Sequence, residues 1–541
     1  MRLIQRLLPL LLLIFMAGCG IRPTGEAPIL ENGPEIKVGL WWGTPAVRFS
    51  LEGDASIINE KRTFLVRRQL EGSWRADVLQ ASPGKTVWFL VAASMSTRQR
   101  AQAQVQILRQ QGYDTFIYPA GQKLKVGKRL SRENDVYRVC LRRPFKTEEA
   151  AKTHQQVISG KLETFIIKHR MVPPGGTIRL VHEASGQEFA SSEPIVLKGE
   201  KIIIHDVPVG TGFHWASKKD RSYPQDIILQ VGADGQLTVI NRLPLETYLQ
   251  GVVPTEMPNG FPLEALKAQA VAARSETLSK LGRAHTADPF DLCADVHCQA
   301  YSGLTRRHPA TDRAVIETAG EILMVGEHIV DAVYSAVCGG HGESANHAWG
   351  GEGRSYLRGT FDGPGRLSRY GRLTRETAVR RWIDANPPAY CNSTKMPIVD
   401  GMKYTQKYWR WEVVFSQQEL KTQLERHMGR SVGPILHLEP MTRGDSGRIT
   451  QLRVKGRTGA YMIQGELAIR KALSPTTLWS SCFYVTTDRG AVPQQFTLKG
   501  TGFGHGVGMC QTGAAGMALK NKTYKSILKH YYRGSRIRRL Y

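Results

Sequence analysis

From Pro262 to about Leu281 the chain reads as one long helix. Leu263, Leu266, Ala270 and Ala273 recur at helical spacing, Pro262 suits the first turn, and Glu264 lies beside the positive helix end. The sequence on its N-terminal side is strand-like: Ile36-Lys-Val38-Gly-Leu40-Trp41, Ile178-Arg-Leu180, Ile202-Ile-Ile204 and Ile227-Ile-Leu229, separated by Gly and Pro turns. A chain that must bury an Ala-rich helix together with many short strands is predicted to be α+β, a mixed β-rich fold with the long helix following Glu256. With 541 residues, 41% of them hydrophobic and 22% charged, it has material for large cores. That excludes wholesale disorder and a polytopic membrane protein, and at about 100–200 residues per domain it implies three or four domains.

The first residues specify export. Arg2 and Arg6 precede an apolar run from Leu7 to Met16, too short for a span of about 20 residues, and Met16-Ala17-Gly18-Cys19 resembles a lipobox. The expectation is a lipoprotein signal at 1–18, lipidation of Cys19 and a Gly/Pro/Glu-rich tether over 19–35, with a plain secretory signal as the alternative. The formal charge of +26, less two once Arg2 and Arg6 are removed, calls for an anionic polymer. Export argues against nucleic acid and for a partner in the cell envelope, which is the periplasm if the cell is Gram-negative.

Residues 36–84 and 171–235 read as pieces of one β-rich region interrupted by a module at 85–170, followed by a domain over 236–541. Within the module, strand patterns at 87–91, 115–118, 136–141 and 164–167 alternate with helices at 97–111 and 146–159, the βαββαβ order of a ferredoxin-like split sheet. Trp88, a helix ending in Gln-Gly-Tyr, Tyr137-Arg138-Val139, Pro144-Phe145 and Glu148-Glu149-Ala150 resemble the SPOR domain, although Cys140-Leu141-Arg142 stands where that family usually has a glycine-containing stretch. The resemblance implies binding of glycan strands stripped of stem peptides, with Trp88, Tyr137 and Arg138 as contacts.

The candidate chemistry lies in the second half. Glu256 sits in a Pro-flanked segment able to hold a carboxylate against a pocket, and Lys267, Gln269 and Arg274 are unusual inside an Ala-rich helix, as a solvated face or as donors aimed into a cleft. Burial against Met257 and Tyr248 would raise the pKa of Glu256, whereas the start of the following helix would lower it. In Thr501-Gly-Phe-Gly-His505-Gly-Val-Gly-Met509 an extended chain would put every glycine on one bare face, for a sugar or for a tightly crossing strand.

Glu256-Met-Pro, the Leu263–Arg274 stretch, Asp291-Leu-Cys293 through His297-Cys298-Gln299-Ala-Tyr301, Cys338-Gly-Gly340 and Gly504-His-Gly-Val-Gly-Met509 resemble, in order, the stage II sporulation protein D (SpoIID/LytB) family over roughly 236–541. The family contains lytic transglycosylases that cut glycan strands lacking stem peptides. The resemblance puts the catalytic glutamate at Glu256. It also implies Lys267, Gln269, Arg274, Gln299, Tyr301, His505 and Gln511 as substrate contacts, His505 to orient Glu256 or bind a lactyl carboxylate; Cys510 stands where Ser is common.

Cys293 and Cys298, with His285 and His297 near, allow either a structural zinc or a disulfide, and some family members hold zinc through two such cysteines and an upstream histidine, here His285. Cys338 is a structural cysteine able to pair with Cys391, or a nucleophile served by His341 or His505. Trp382, Trp409 and Trp411 are expected mainly in cores. The function expected is cleavage of the MurNAc–GlcNAc bond with formation of 1,6-anhydroMurNAc ends, without a required cofactor and in company with a cell-wall amidase. The alternatives are a non-catalytic peptidoglycan-binding lipoprotein and a cysteine-dependent cell-wall peptidase or amidase.

Overall fold

The computed structural model describes residues 33–66, 71–121, 123–126, 129–158, 161–210, 216–364, 370–397 and 399–541. The expected signal, Cys19 and most of the tether lie outside the described residues. Among the described residues no helix is long and apolar enough to cross a membrane.

The fold is α+β. The largest sheet runs, in spatial order, Glu188–Ser191, Gly175–His182, Ser73–Ser82, Ala46–Asn59, Ile195–Val209, Ser217–Val231, Leu237–Pro244, Glu35–Thr44 and Leu292–Cys293, with Phe64–Val66 on Ala46–Asn59. The chain leaves this sheet at Ser82 and returns at Gly175, and these two strands pair antiparallel. At the other edge Leu292–Cys293 runs parallel to Val38–Gly39 and sets the cysteine loop against the sheet. Phe290 can lie flat there because position 39 is glycine: a Cβ would stand 2.7 Å from its ring.

Between Ser82 and Gly175 the chain forms strands Lys85–Met95, Thr115–Ala120, Val136–Leu141 and Phe165–Val172 and helices Arg98–Gln110 and Glu148–Ile158. Numbered within this module, the strands lie in the order 4-1-3-2, the split antiparallel sheet, with an added hairpin of Lys123–Val126 and Arg129–Glu133. The module is docked rather than tethered. Asn134 donates from Nδ2 to the carbonyls of Leu278 (2.9 Å), Ser279 (3.2 Å) and Leu281 (2.7 Å), all at the C-terminal end of the long helix. Helix ends leave such carbonyls without intrahelical partners, so the module caps the helix. Gly121 N–H adds a bond to the Gly282 carbonyl (2.8 Å), and Lys168 pairs with Asp288 (3.2 Å). Asn134→Ala is expected to cost about 1–3 kcal/mol, the penalty for removing the capping donor from Leu278 O and Leu281 O, since Ser279 O keeps the Arg283 guanidinium (3.1 Å). Hydrogen exchange should then quicken at 278–284; unchanged exchange there would mean that the capping carries no weight.

The long helix spans Leu263–Lys280 and is buried on all sides, not along one stripe: Ala265, Leu266, Ala268, Ala270, Val271, Ala272, Ala273 and Leu278 are each 0% exposed. Helices Leu245–Glu256, Pro309–Glu317, Gln511–Ala518 and Tyr524–Tyr531 surround it, and their apolar residues join those of the large sheet in one core. A second core lies over Trp411 to Leu498, where two three-stranded sheets enclose helices Gln417–Met428 and Glu466–Leu473. Trp382, Trp409 and Trp411 are all buried, with their indole N–H groups on Gly339 O, Asn386 Oδ1 and Gly502 O.

Candidate active site and cysteine loop

Glu256 ends the helix Leu245–Glu256, so it faces the negative end of a helix dipole; the Pro-flanked segment is helical despite Pro254. The carboxyl is half-buried, and burial pushes its pKa up to about 7. The backbone N–H of Ala300 on Oε1 (2.7 Å) opposes that rise, the charge of Glu276 adds to it, and Lys280 and the Tyr334 hydroxyl oppose it in turn. The two influences weighed from sequence therefore resolve upward.

The long helix presents two polar faces. Gln269, Glu276 and Lys280 lie on the Glu256 side. The Lys280 ammonium pairs with Glu276 (2.7 Å) and donates to the Cys298 carbonyl (3.0 Å). Lys267 and Arg274, seven residues apart, share the other face. Lys267 pairs with Glu264 (3.0 Å) and Glu317 (2.6 Å), and Arg274 is 0% exposed in a bidentate pair with Glu246. These two are corrected from substrate contacts to structural ion pairs. Tyr301 is corrected likewise: it is 0% exposed, its hydroxyl on Asn241 Oδ1 (2.7 Å) among Tyr223 and Tyr248.

Gln299 and Gln511 support the site from beneath. Gln299 donates to Thr277 Oγ1 (2.7 Å) and accepts the Tyr334 hydroxyl at Oε1 (2.9 Å). Gln511 Nε2 reaches the Glu256 carbonyl (3.2 Å) and Gln269 Oε1 (3.3 Å). Tyr334 comes into place because Tyr334–Ser335 pairs parallel with Met509–Cys510. Tyr334, Glu276 and Lys280 were absent from the sequence reading, as were two aromatics at the surface, Trp349 (54% exposed) and Tyr404 (38%). Burial of its hydroxyl raises the Tyr404 phenol pKa, and Tyr404 stands near enough to Glu256 for the carboxylate to add to that rise. Tyr334→Phe removes a group that favours ionised Glu256. The basic limb of any pH–rate profile should then move upward, and an unmoved limb would remove Tyr334 from the site.

The glycine-alternating segment is not an extended strand. Gly502, Gly504, Gly506 and Gly508 have φ of +87°, +94°, +76° and +73°, the left-handed region that favours glycine. Their bare side meets protein: a Cβ on Gly506 would lie 2.5 Å from the Arg448 guanidinium, and one on Gly508 1.9 Å from the Val333 carbonyl. Tight crossing, not sugar contact, accounts for these glycines. His505 emerges on the other side against Trp349 (ring centroids 5.0 Å). Its Nδ1 accepts from Val507 N–H (3.0 Å), and burial, with Arg448 and Arg470 near, pushes its pKa down to about 3. It is a neutral imidazole, able to donate a hydrogen bond from Nε2 but not to pair with a carboxylate as a cation.

In the cysteine loop, one ligand atom from each of His285, Cys293, His297 and Cys298 lies within 4.8 Å of the others. His297 Nδ1 is 3.7 Å and 3.5 Å from the two sulfurs. Asp288 holds His285 Nδ1 (2.9 Å), while His285 Nε2 is buried without a protein partner, and the residue occupies φ +46°. A carboxylate-oriented histidine, two thiols and a second histidine fit a tetrahedral zinc. Cys338 is 3% exposed, with its thiol on Asp362 and Cys391, which leaves it no approach to a peptide bond.

In the inserted module Trp88 and Tyr137 face the helices: Trp88 packs with Leu90, Phe145 and Ala151, and Tyr137 with Ala101 and Val105. Arg138 donates to the Arg283 carbonyl and joins the module to the main body. The sheet face free of helices carries Phe89, Phe116 and Tyr118 instead, with Arg142 over Phe116 (5.8 Å). Strand alternation separates the two sets, and which set the helices cover decides their role.

Residues 233–325 match the SpoIID family of stage II sporulation proteins, 84–168 match the SPOR domain, and 343–508 match a domain of unknown function. The chain is 31% identical over 299 residues to an uncharacterised protein of Brachyspira hyodysenteriae, covering 55% of this chain and 67% of that one. It is similar to the stage II sporulation protein D of Bacillus subtilis (28% over 313 residues; 55% and 75% covered). It is also similar to the amidase enhancer of Bacillus subtilis (29% over 296 residues), spanning 53% of this chain but only 40% of that relative.

Proposed function

The chain belongs to the SpoIID family of stage II sporulation proteins and carries an inserted SPOR domain, and from that premise we propose that it is a lytic transglycosylase acting on peptidoglycan glycan strands that lack stem peptides. The observation that carries this reading is a half-buried Glu256 whose pKa is raised to about 7, so that it holds a proton near neutral pH. Hydrolysis through two carboxylates would need a second free acid. Glu276, the acid that acts on Glu256 most strongly, is 5% exposed and tied to Lys280. A single acid/base suffices for transglycosylation. Glu256 protonates the glycosidic oxygen leaving as the GlcNAc 4-hydroxyl, then as carboxylate takes the proton of the MurNAc C6 hydroxyl as that oxygen closes on C1. Ala300 N–H holds the carboxylate with the Tyr334 hydroxyl close enough to favour its ionised form, and Trp349 and Tyr404 offer faces for sugar stacking.

The test is mass spectrometry of products from amidase-stripped glycan strands. Anhydro-ended sugars are expected. Reducing ends would mean hydrolysis, and binding without products would leave a non-catalytic glycan-binding lipoprotein.

We propose further that His285, Cys293, His297 and Cys298 hold a structural zinc. Bound there, it would stiffen the loop that delivers Ala300 N–H to Glu256 and Gln299 to Tyr334. The net positive charge suits a strand bearing one lactyl carboxylate per disaccharide. The SPOR domain supports glycan binding, and an amidase partner would supply the stripped strand. The same reading keeps the protein on the cell-wall side of a membrane, anchored by a lipid on Cys19.

A further inference from the structure

Beside Gln511, whose Nε2 reaches the Glu256 carbonyl, four chain segments bring Cys338, Asp362, Cys391 and Cys510 together, with one ligand atom from each within 4.8 Å of the others. All are buried: 3%, 1%, 0% and 1% exposed respectively. The Cys338 and Cys391 sulfurs are 3.5 Å apart, and Cys338 Sγ is 3.2 Å from Asp362 Oδ2. With metal–sulfur bonds of about 2.3 Å and metal–oxygen bonds of about 2.0 Å, a tetrahedral zinc site has S···S edges of about 3.8 Å and S···O edges of about 3.5 Å. The cluster is therefore close to the size of such a site.

Cys510 Sγ accepts backbone N–H bonds from Cys338 (3.2 Å) and Gly513 (3.3 Å), at the start of the helix Gln511–Ala518. N–H donors and a helix N-terminus both favour a thiolate. Asp362 Oδ1 accepts the Tyr531 hydroxyl (2.7 Å), with His530 Nε2 at 3.4 Å, which leaves Oδ2 turned to the sulfurs. Gly513 keeps the space open: a Cβ there would lie 2.4 Å from Asp362 Oδ2. Three thiols and a carboxylate cannot all ionise in a dry pocket unless a cation joins them. A Cys338–Cys391 disulfide would leave both Cys510 and Asp362 without that role.

We infer that Cys338, Cys391, Cys510 and Asp362 form a second, structural metal site for a thiophilic divalent ion, zinc by its donor set. It ties the strand carrying Tyr334 to the start of the helix carrying Gln511, and so fixes two of the groups that position Glu256. This site is independent of the cysteine-loop zinc.

The test is metal analysis of the full chain, purified in detergent without chelators. Two zinc ions per chain are expected in the parent, one in Cys293→Ser/Cys298→Ser, and one in Cys391→Ser. Should Cys391→Ser fail to fold, the cobalt-substituted Cys293→Ser/Cys298→Ser protein gives the second readout: intense sulfur-to-cobalt charge-transfer absorption is expected to persist. No metal in that double variant, or a Cys338–Cys391 disulfide in non-reducing peptide maps, overturns the inference. One ion in the parent that survives the double variant but is lost in Cys391→Ser upholds it and removes the cysteine-loop zinc instead.

Discussion

Glu256→Gln is expected to reduce glycan cleavage by at least about 10²–10⁴-fold, the usual contribution of a positioned acid/base, while glycan binding persists. The parent supplies the sharper test through pH. Its carboxyl ordinarily ionises at 4.5 and is raised by burial to about 7 in the fold, so the acid form is lost, and cleavage with it, as pH rises through about 7. Stability follows the same sign. Because the folded pKa lies above the unfolded one, the contribution is fully present below pH 4.5 and is lost as pH rises to about 7. The glutamine variant has no such proton to lose, and its Oε1 can still accept from Ala300 N–H. Its melting temperature should therefore gain on that of the parent between those limits and hold the gain above pH 7. Parallel melting curves across the whole range would show that Glu256 is not buried as described, and undiminished cleavage by the variant would remove Glu256 from the chemistry.

The long helix was legible because Leu and Ala at helical spacing carry their own signal, and it ends one residue from each expected boundary. The module's strand and helix order was legible for the same reason. The partners of Glu256 were not. Tyr334 arrives through a two-residue parallel pairing with Met509–Cys510, a contact between segments whose local sequence has no periodicity to announce it. Helical spacing likewise separates Lys267 and Arg274 from Gln269 and Glu276 but does not say which face meets the cleft. The glycine run misled for a different reason. A period of two describes where side chains point in an extended chain, whereas these glycines are required by positive φ and by the closeness of Arg448, which belongs to another part of the fold. Trp88 and Tyr137 show the same gap on a smaller scale, since alternation groups residues by face without assigning the helices to one of them.

Arg274→Met is expected to destabilise the protein by about 3–5 kcal/mol, the cost of leaving one member of a buried ion pair uncompensated. Both side chains are 0% exposed, and the guanidinium meets Glu246 through two bonds of 2.7 Å and 2.6 Å. It also donates to the carbonyls of Glu321 (3.1 Å) and Val315 (3.4 Å), so the substitution removes a cation and a donor from three groups at once, although Val315 O keeps the Thr318 N–H and hydroxyl. Glu246 would retain the Gly320 N–H (3.3 Å) and the Tyr541 hydroxyl, which are neutral donors and do not replace a cation. Removing both charges is different in kind: Glu246→Met/Arg274→Met should recover much of the loss, because desolvation of the pair offsets most of its attraction. Denaturant midpoints of the parent, the two single variants and the double variant form the cycle that measures this coupling. If Arg274→Met kept the parent's midpoint but bound stripped glycan more weakly, the residue would return to the substrate face; a large loss of stability recovered in the double variant fixes it as the bolt between the long helix and the glutamate helix, Leu245–Glu256, that presents Glu256.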